Sequence, residues 1–399
     1  MERDGASDQR NYDRLLSRFG GLIERDGLSP DSGLGAALKL GDDAVSLARE
    51  RLADAGFTDF SFRVGVAQKP ILNAAVTSLG SLQAITLFWP LPLTLQGVSA
   101  AIWANPGMAP WVGDISALQS PSPTPAMFPP GFDLYLAMLE KAELDPSLLR
   151  SGIRKDYINA IVAAGDERWD AFLATFMAAI DFVWRHEVAH VLYGHTEVAL
   201  RNFGISDLYE APEDLDRPIP DAMSQFMEYV ADMDAGLNIF SSYYGRLLEQ
   251  PSSPASPDQL LVGAASALGM VVAMYVLAQS AELADRSESI ARTHPPAGHR
   301  TLWVLSAEAL AADEMLGRFG LEGDETARAS IAAVRSAAIK LLQSAGGTHP
   351  SLHKWVMALN EEVEARTDSF LKSLHAAASP YFELLDRYQL VRRKQKSST

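Results

Sequence analysis

Cysteine is absent from all 399 residues. Its absence excludes a disulfide framework, a thiolate nucleophile and thiolate metal ligands, so any metal must be held by histidine and carboxylate side chains. Positive charge is scarce, with 34 Lys and Arg against 50 Asp and Glu and a formal net charge of -16. Phosphate-backbone binding needs concentrated Lys and Arg, so no nucleic-acid partner is expected. The N-terminal stretch MERDGASDQRNYDRLLSRFGG has no apolar run, which predicts a chain that begins at or near Met1 without a secretory leader. These features fit a cytoplasmic protein. Long apolar runs are also rare. Leu260–Ala278 is apolar except for Ser266 and is about long enough to span a bilayer. It is rich in Ala and Gly, lacks flanking Lys or Arg and runs into Glu282 and Asp285. It therefore reads as a buried core helix, and no integral membrane segment is expected.

What is present is globular material, 48% hydrophobic and 21% charged, enough for one large or two modest cores. Residues 1–56 read as an amphipathic helical segment that Gly56 closes. From Phe57 to about Trp103, short runs such as FSFRVGVA and LQAITLFW predict a small sheet. Seven prolines between Asn105 and Gly131 mark an insertion unsuited to helix or inner strand. Beyond Phe132 the chain reads as successive helices, including 166–194, 221–240, 301–319, 324–344 and 351–390. The expected class is α+β, mainly helical, in three parts: 1–56, a central domain over 57–305, and a helical region over 306–399.

Chemistry concentrates in DFVWRHEVAHVLYGH. His186 and His190 are four residues apart, so on a helix both imidazoles face one ion, with Glu187 beside them as a base. Two histidines leave zinc one protein ligand short of the usual three plus water. Val183, Trp184, Val188, Ala189, Val191 and Leu192 surround these side chains with apolar residues, and uncompensated polar groups would be costly there.

Two candidates compete for the third ligand. Glu228, in QFMEYVADMDAG, has Asp232 one turn later; if Glu228 binds the ion, Asp232 can accept a hydrogen bond from the outer nitrogen of a ligating His. His195 is the rival, but five residues turn a helix by about 500°, which points it roughly 140° away from His190. A supporting place behind the ligands, or one at the helix C-terminus, suits it better. A third cluster, RTHPPAGHR, places His294 before a Pro pair, where it can donate to the oxyanion formed on a carbonyl under attack.

In order, HEVAH, EYVAD and HPPAGHR resemble the gluzincin metallopeptidases of the HtpX-like and BepA-like family, and KPILNAAVTSLGSLQAITLF resembles that family's Asn-Ala segment and following edge strand, with Asn73 and Ala74 at the matching positions. The resemblance implies a zincin-like fold whose edge strand borders the active-site helix. It implies one Zn2+ on His186, His190 and Glu228, Glu187 as general base, Asp232 behind the ligands and His294 as transition-state stabiliser. It covers residues 60–305 and is specific at the motifs. The gap of about one hundred residues between the strand and the HExxH helix is longer than that family has, and its membrane spans are missing. Soluble Lit-like phage-exclusion peptidases, with Gly-His soon after HExxH, are also similar. The implied activity is endopeptidase cleavage of an intracellular protein or peptide lying along Leu82–Phe88. A metal-binding scaffold without catalysis, or a helical interaction module, are the alternatives.

Overall fold

A computed structural model describes residues 12–15, 17–23, 25, 28, 33–79, 82–118, 155–209, 219–249, 253–284, 297–348, 352–353 and 361–391. The expected Pro-rich insertion lies outside them beyond Leu118, and so does His294.

The chain is mostly helical, with one mixed sheet of four strands. Helix α1 (Gly33–Asp54) leads to β1 (Ser61–Ala67), β2 (Ala74–Leu79), β3 (Leu82–Phe88) and α2 (Pro90–Trp103). Then come α3 (Lys155–Ala163), α4 (Asp166–Leu192), α5 (His195–Phe203), β4 (Asp207–Tyr209), α6 (Asp221–Leu248) and α7 (Pro257–Ala284). Helices α8 (Ala297–Phe319), α9 (Glu325–Gly346), α10 (Glu361–Ala378) and α11 (Phe382–Tyr388) complete the described chain.

Helix α4 is the axis of the fold. It is buried around most of its circumference and packs against α1, α2, α3, α6, α7 and strands β2 and β3. One apolar cluster runs from Ile23 to Leu385 through α1, the sheet and helices α2 to α9. The boundary expected at 305/306 falls inside α8.

The expectation that Leu82–Phe88 is an edge strand is corrected. β3 pairs with β1 on one side, parallel, and with β2 on the other, antiparallel, in the order β1-β3-β2-β4. All seven of its residues are buried, because both faces of the sheet are covered. Leu82, Ala84 and Phe88 meet Tyr12, Leu15 and Phe19 of the N-terminal segment. Ile85 and Leu87 join the helical core. The outer strands are β1 and the three-residue β4.

Residues 90–103, read as part of the sheet region, form α2 instead, with Pro90 in its first turn, where proline's missing N–H costs nothing. The end of α2 is held by Arg168, which is fully buried. Its guanidinium donates to the carbonyls of Trp103 (2.7 Å), Asn105 (3.0 Å), Met108 (2.5 Å) and Val112 (2.7 Å). Burial without an acid pushes Arg168 down to about 10. The long C-terminal amphipathic run also breaks, at Ser379–Tyr381 around Pro380, separating α10 from α11.

The apolar run lies in α7. Its span Pro257–Ala278 is long and apolar enough to cross a membrane, with 78% of its most apolar window buried inside the protein. It packs on α4 and α9. At Gly269 a Cβ would sit 2.3 Å from the Thr175 carbonyl oxygen and 2.9 Å from Ala178 Cβ, so the two helix backbones meet with no room for a side chain. Gly269→Ala is expected to lower stability by about 1–3 kcal/mol through overpacking, read as an earlier urea midpoint at unchanged slope; a midpoint equal to wild type would show that α4 and α7 can separate freely.

Candidate metal centre

His186 and His190 occupy successive turns of α4, and Glu228 and Asp232 successive turns of α6, on the faces where the two helices pack. The facing pairs bring four ionisable side chains together out of water, with exposures of 1% for His186, 3% for His190, 6% for Glu228 and 0% for Asp232.

His186, His190 and Glu228 each offer one atom, all within 4.8 Å of one another. The two Nε2 atoms are 3.0 Å apart. Glu228 places Oε2 3.3 Å from His186 Nε2 and Oε1 3.7 Å from His190 Nε2. Donors bound tetrahedrally about 2.0–2.2 Å from an ion lie about 3.3–3.6 Å apart; the closest approaches here, made to Glu228 through its two different oxygens, are of that order. The donor set also fits: two imidazole nitrogens 3.0 Å apart stand beside a carboxylate, a combination that suits a divalent metal. This buried group could bind a metal.

Around the triangle sits a chain of charged partners. Asp232 Oδ1 is 3.0 Å from His186 Nδ1, the nitrogen turned away from the triangle. Both Asp232 oxygens accept from Arg300, Nε to Oδ2 and Nη2 to Oδ1, each at 2.8 Å. Arg300 Nη2 also lies 3.4 Å from Glu228 Oε2. Arg300 comes from α8 and is itself buried. Its neighbour His299 stacks on Phe370, ring centres 4.7 Å apart.

His195 opens α5 rather than ending α4, after Gly194 turns the backbone through the left-handed region (φ 71°). Its Nδ1 lies 2.9 Å from His190 Nδ1. Complete burial, with the charge of His186 nearby, pushes His195 down to about 3, so it is a neutral imidazole. When His190 presents its Nε2 lone pair to an ion, its proton sits on Nδ1, and His190 donates to His195. Glu187 is buried on α4, about 100° around the helix from His186 and about 60° from His190.

Sequence reasoning assigned no role to Arg300, Tyr193 or Asp234. Tyr193 donates to Asp234 Oδ1 at 3.0 Å, and Arg51 of α1 holds both oxygens of Asp234 at 2.8 and 3.0 Å. This second buried carboxylate ties the end of α4 to α1 and α6. The EYVADMDAG repetition of acids was the visible signal; the partners lie 183 and 41 residues away.

Compared with protein-family models, curated proteins and solved structures, the chain matches none of them.

Asp232→Asn is expected to weaken metal affinity by about ten- to a hundredfold, because the neutral amide keeps one acceptor oxygen for Arg300 and puts an N–H or an uncharged oxygen beside His186 Nδ1. Competition with a chromophoric chelator measures this, and an unchanged affinity would remove Asp232 from the site.

Proposed function

We propose that the chain is a zinc-dependent endopeptidase acting on an intracellular protein, with a zincin-like arrangement of α4, α6 and the small sheet. The reading rests on one observation above the others: two buried imidazoles and a buried carboxylate each offer an atom within 4.8 Å of the other two, close enough to hold one ion. Glu187, the next residue after His186 on the same helix, is a further buried carboxylate. A nitrogen-rich donor set suits zinc better than magnesium or calcium, which take oxygen ligands.

His186, His190 and Glu228 would hold the ion. When bound, it supplies Lewis acidity, acidifying a water and polarising the carbonyl to be cleaved. Glu187 then takes the proton from the attacking water and returns it to the leaving amine. Asp232, anchored by Arg300, keeps the His186 ring oriented. His294 is assigned the oxyanion donor from the motif order alone. Because β3 is interior, a substrate strand that adds to the sheet must use an outer strand, and β4 is the one that packs beside α5.

A second reading is favoured by the depth of the donors: the ion could serve as a structural clamp between α4 and α6. Elemental analysis separates these. About one zinc per chain is expected, lost in His190→Ala and Glu228→Ala; zinc kept in Glu228→Ala would transfer the third ligand to His195. Glu187→Gln is expected to keep its zinc and lose hydrolysis by at least about a hundredfold. Zinc-loaded protein whose only response to chelation is a lower melting temperature would establish the clamp.

A further inference from the structure

A second site lies away from the metal-binding residues, where the middle of α1, from Asp42 to Arg49, meets the outer edge of β1. A cavity of about 480 Å³ opens there between Tyr12, Arg25, Asp42, Arg49, Phe62 and Arg63. Three guanidiniums converge in a chain whose net charge is -16. Arg25 is matched by Asp42, Nη1 to Oδ2 at 2.6 Å and Nη2 to Oδ1 at 3.1 Å. Arg49 and Arg63 have no acidic partner among the described residues. The lining therefore carries a net charge of +2.

The strand edge positions the cations. Arg25 Nη2 lies 3.4 Å from the Val64 carbonyl oxygen, and Arg49 Nη2 lies 3.4 Å from that of Phe62. Carbonyls two residues apart on one strand edge are about 7 Å apart, so both guanidiniums border one small space. Neither of these long contacts uses up its donors, and an arginine has five. Tyr12 adds a neutral donor. The residue is 6% exposed and lines the cavity, and its hydroxyl feels the charges of Arg63, Arg25 and Asp13. Burial pushes its hydroxyl up, so it stays protonated and can donate.

Edge protection accounts for part of this arrangement, since long cationic side chains laid on an outer strand block pairing with another chain. It explains Arg25 and Arg49. It does not by itself explain why Arg63, which has no ion pair among the described residues, and the Tyr12 hydroxyl line the same cavity as those two cations. One occupant answers both: an oxyanion with several acceptor oxygens and a double negative charge, which forked guanidiniums match.

We propose that the cleft between α1 and β1 is a binding site for a phosphate monoester dianion, held by Arg25, Arg49 and Arg63 and by the Tyr12 hydroxyl. The cavity is larger than a phosphoryl group alone, and Phe62 and Val45 line it with apolar surface, so the ester substituent has a place to lie. The group can arrive on a phosphorylated metabolite or on a phosphorylated side chain of a partner protein.

Calorimetric titration of the full chain with inorganic phosphate tests this, repeated on Arg49→Gln/Arg63→Gln. Both arginines are at the surface, so the variant keeps its fold, and circular dichroism verifies that. The same titration on His190→Ala removes any phosphate held by an ion at the metal centre. Saturable phosphate binding that weakens about tenfold or more per arginine removed, and severalfold in Tyr12→Phe, is expected. Glucose 6-phosphate and a phosphoserine peptide then distinguish the sources, the tighter of the two naming metabolite or protein. No saturable binding at millimolar phosphate, equal binding in the double variant, or acetate binding as tightly as phosphate would each overturn the site.

Discussion

Two imidazoles and two carboxylates are withdrawn from water where α4 crosses α6, and the surrounding structure is arranged to keep them there. Moving an ionised carboxylate out of water is expensive unless it is paired and hydrogen-bonded. Asp232 is completely buried and meets that condition through the fork of Arg300 on both oxygens, with His186 Nδ1 3.0 Å from one of them. Glu228 draws on the same guanidinium at 3.4 Å. Helix α8 must therefore lie where Arg300 can reach α6, and α4 must present its histidines at fixed spacing. The burial of α4 on nearly all sides is what holds that spacing rigid.

The same economy recurs two residues further along α6, about 200° around the helix. Asp234 is buried and receives Arg51 from α1 and Tyr193 from the end of α4. Acids of α6 thus pin three other helices, α1, α4 and α8, and each contact joins parts of the chain far apart in sequence. The C-terminal segment closes the arrangement. Leu390 and Val391 donate their N–H groups to the Leu192 carbonyl at 3.0 and 3.1 Å, satisfying an otherwise orphaned acceptor at the end of α4. Gly194 makes this approach possible, since a Cβ there would lie 2.0 Å from the Tyr388 carbonyl oxygen.

Much of the site was legible because helices impose a simple period. HEVAH and EYVAD each place two functional side chains four residues apart, and that spacing alone puts each pair on one face. That the two pairs face each other was expected from the ligand count of zinc, and it is the contact between α4 and α6 that places Glu228 rather than His195 at the triangle. Elsewhere local reading failed for identifiable reasons. LQAITLF looks the same in an edge or an inner strand, since only the neighbours decide, and here β1 and β2 flank it. PLPLTLQGVSAAIW begins with two prolines yet forms α2, because a first helical turn tolerates them and Arg168, 65 residues on, caps its end.

The sequence by itself determined the helical character of the chain, the absence of thiolate chemistry, and the pairing of His186 with His190 and of Glu228 with Asp232. Each of these depends on residue type or on spacing within a single turn or two. Tertiary structure decided which strand lies at the sheet's edge, that Arg300 completes the buried carboxylate pair, that His195 stands behind His190, and that three arginines share one cleft. These depend on which surfaces meet after folding. The balance between burial, pairing and charge that selects those meetings is set by the whole core at once, not by any local stretch of chain.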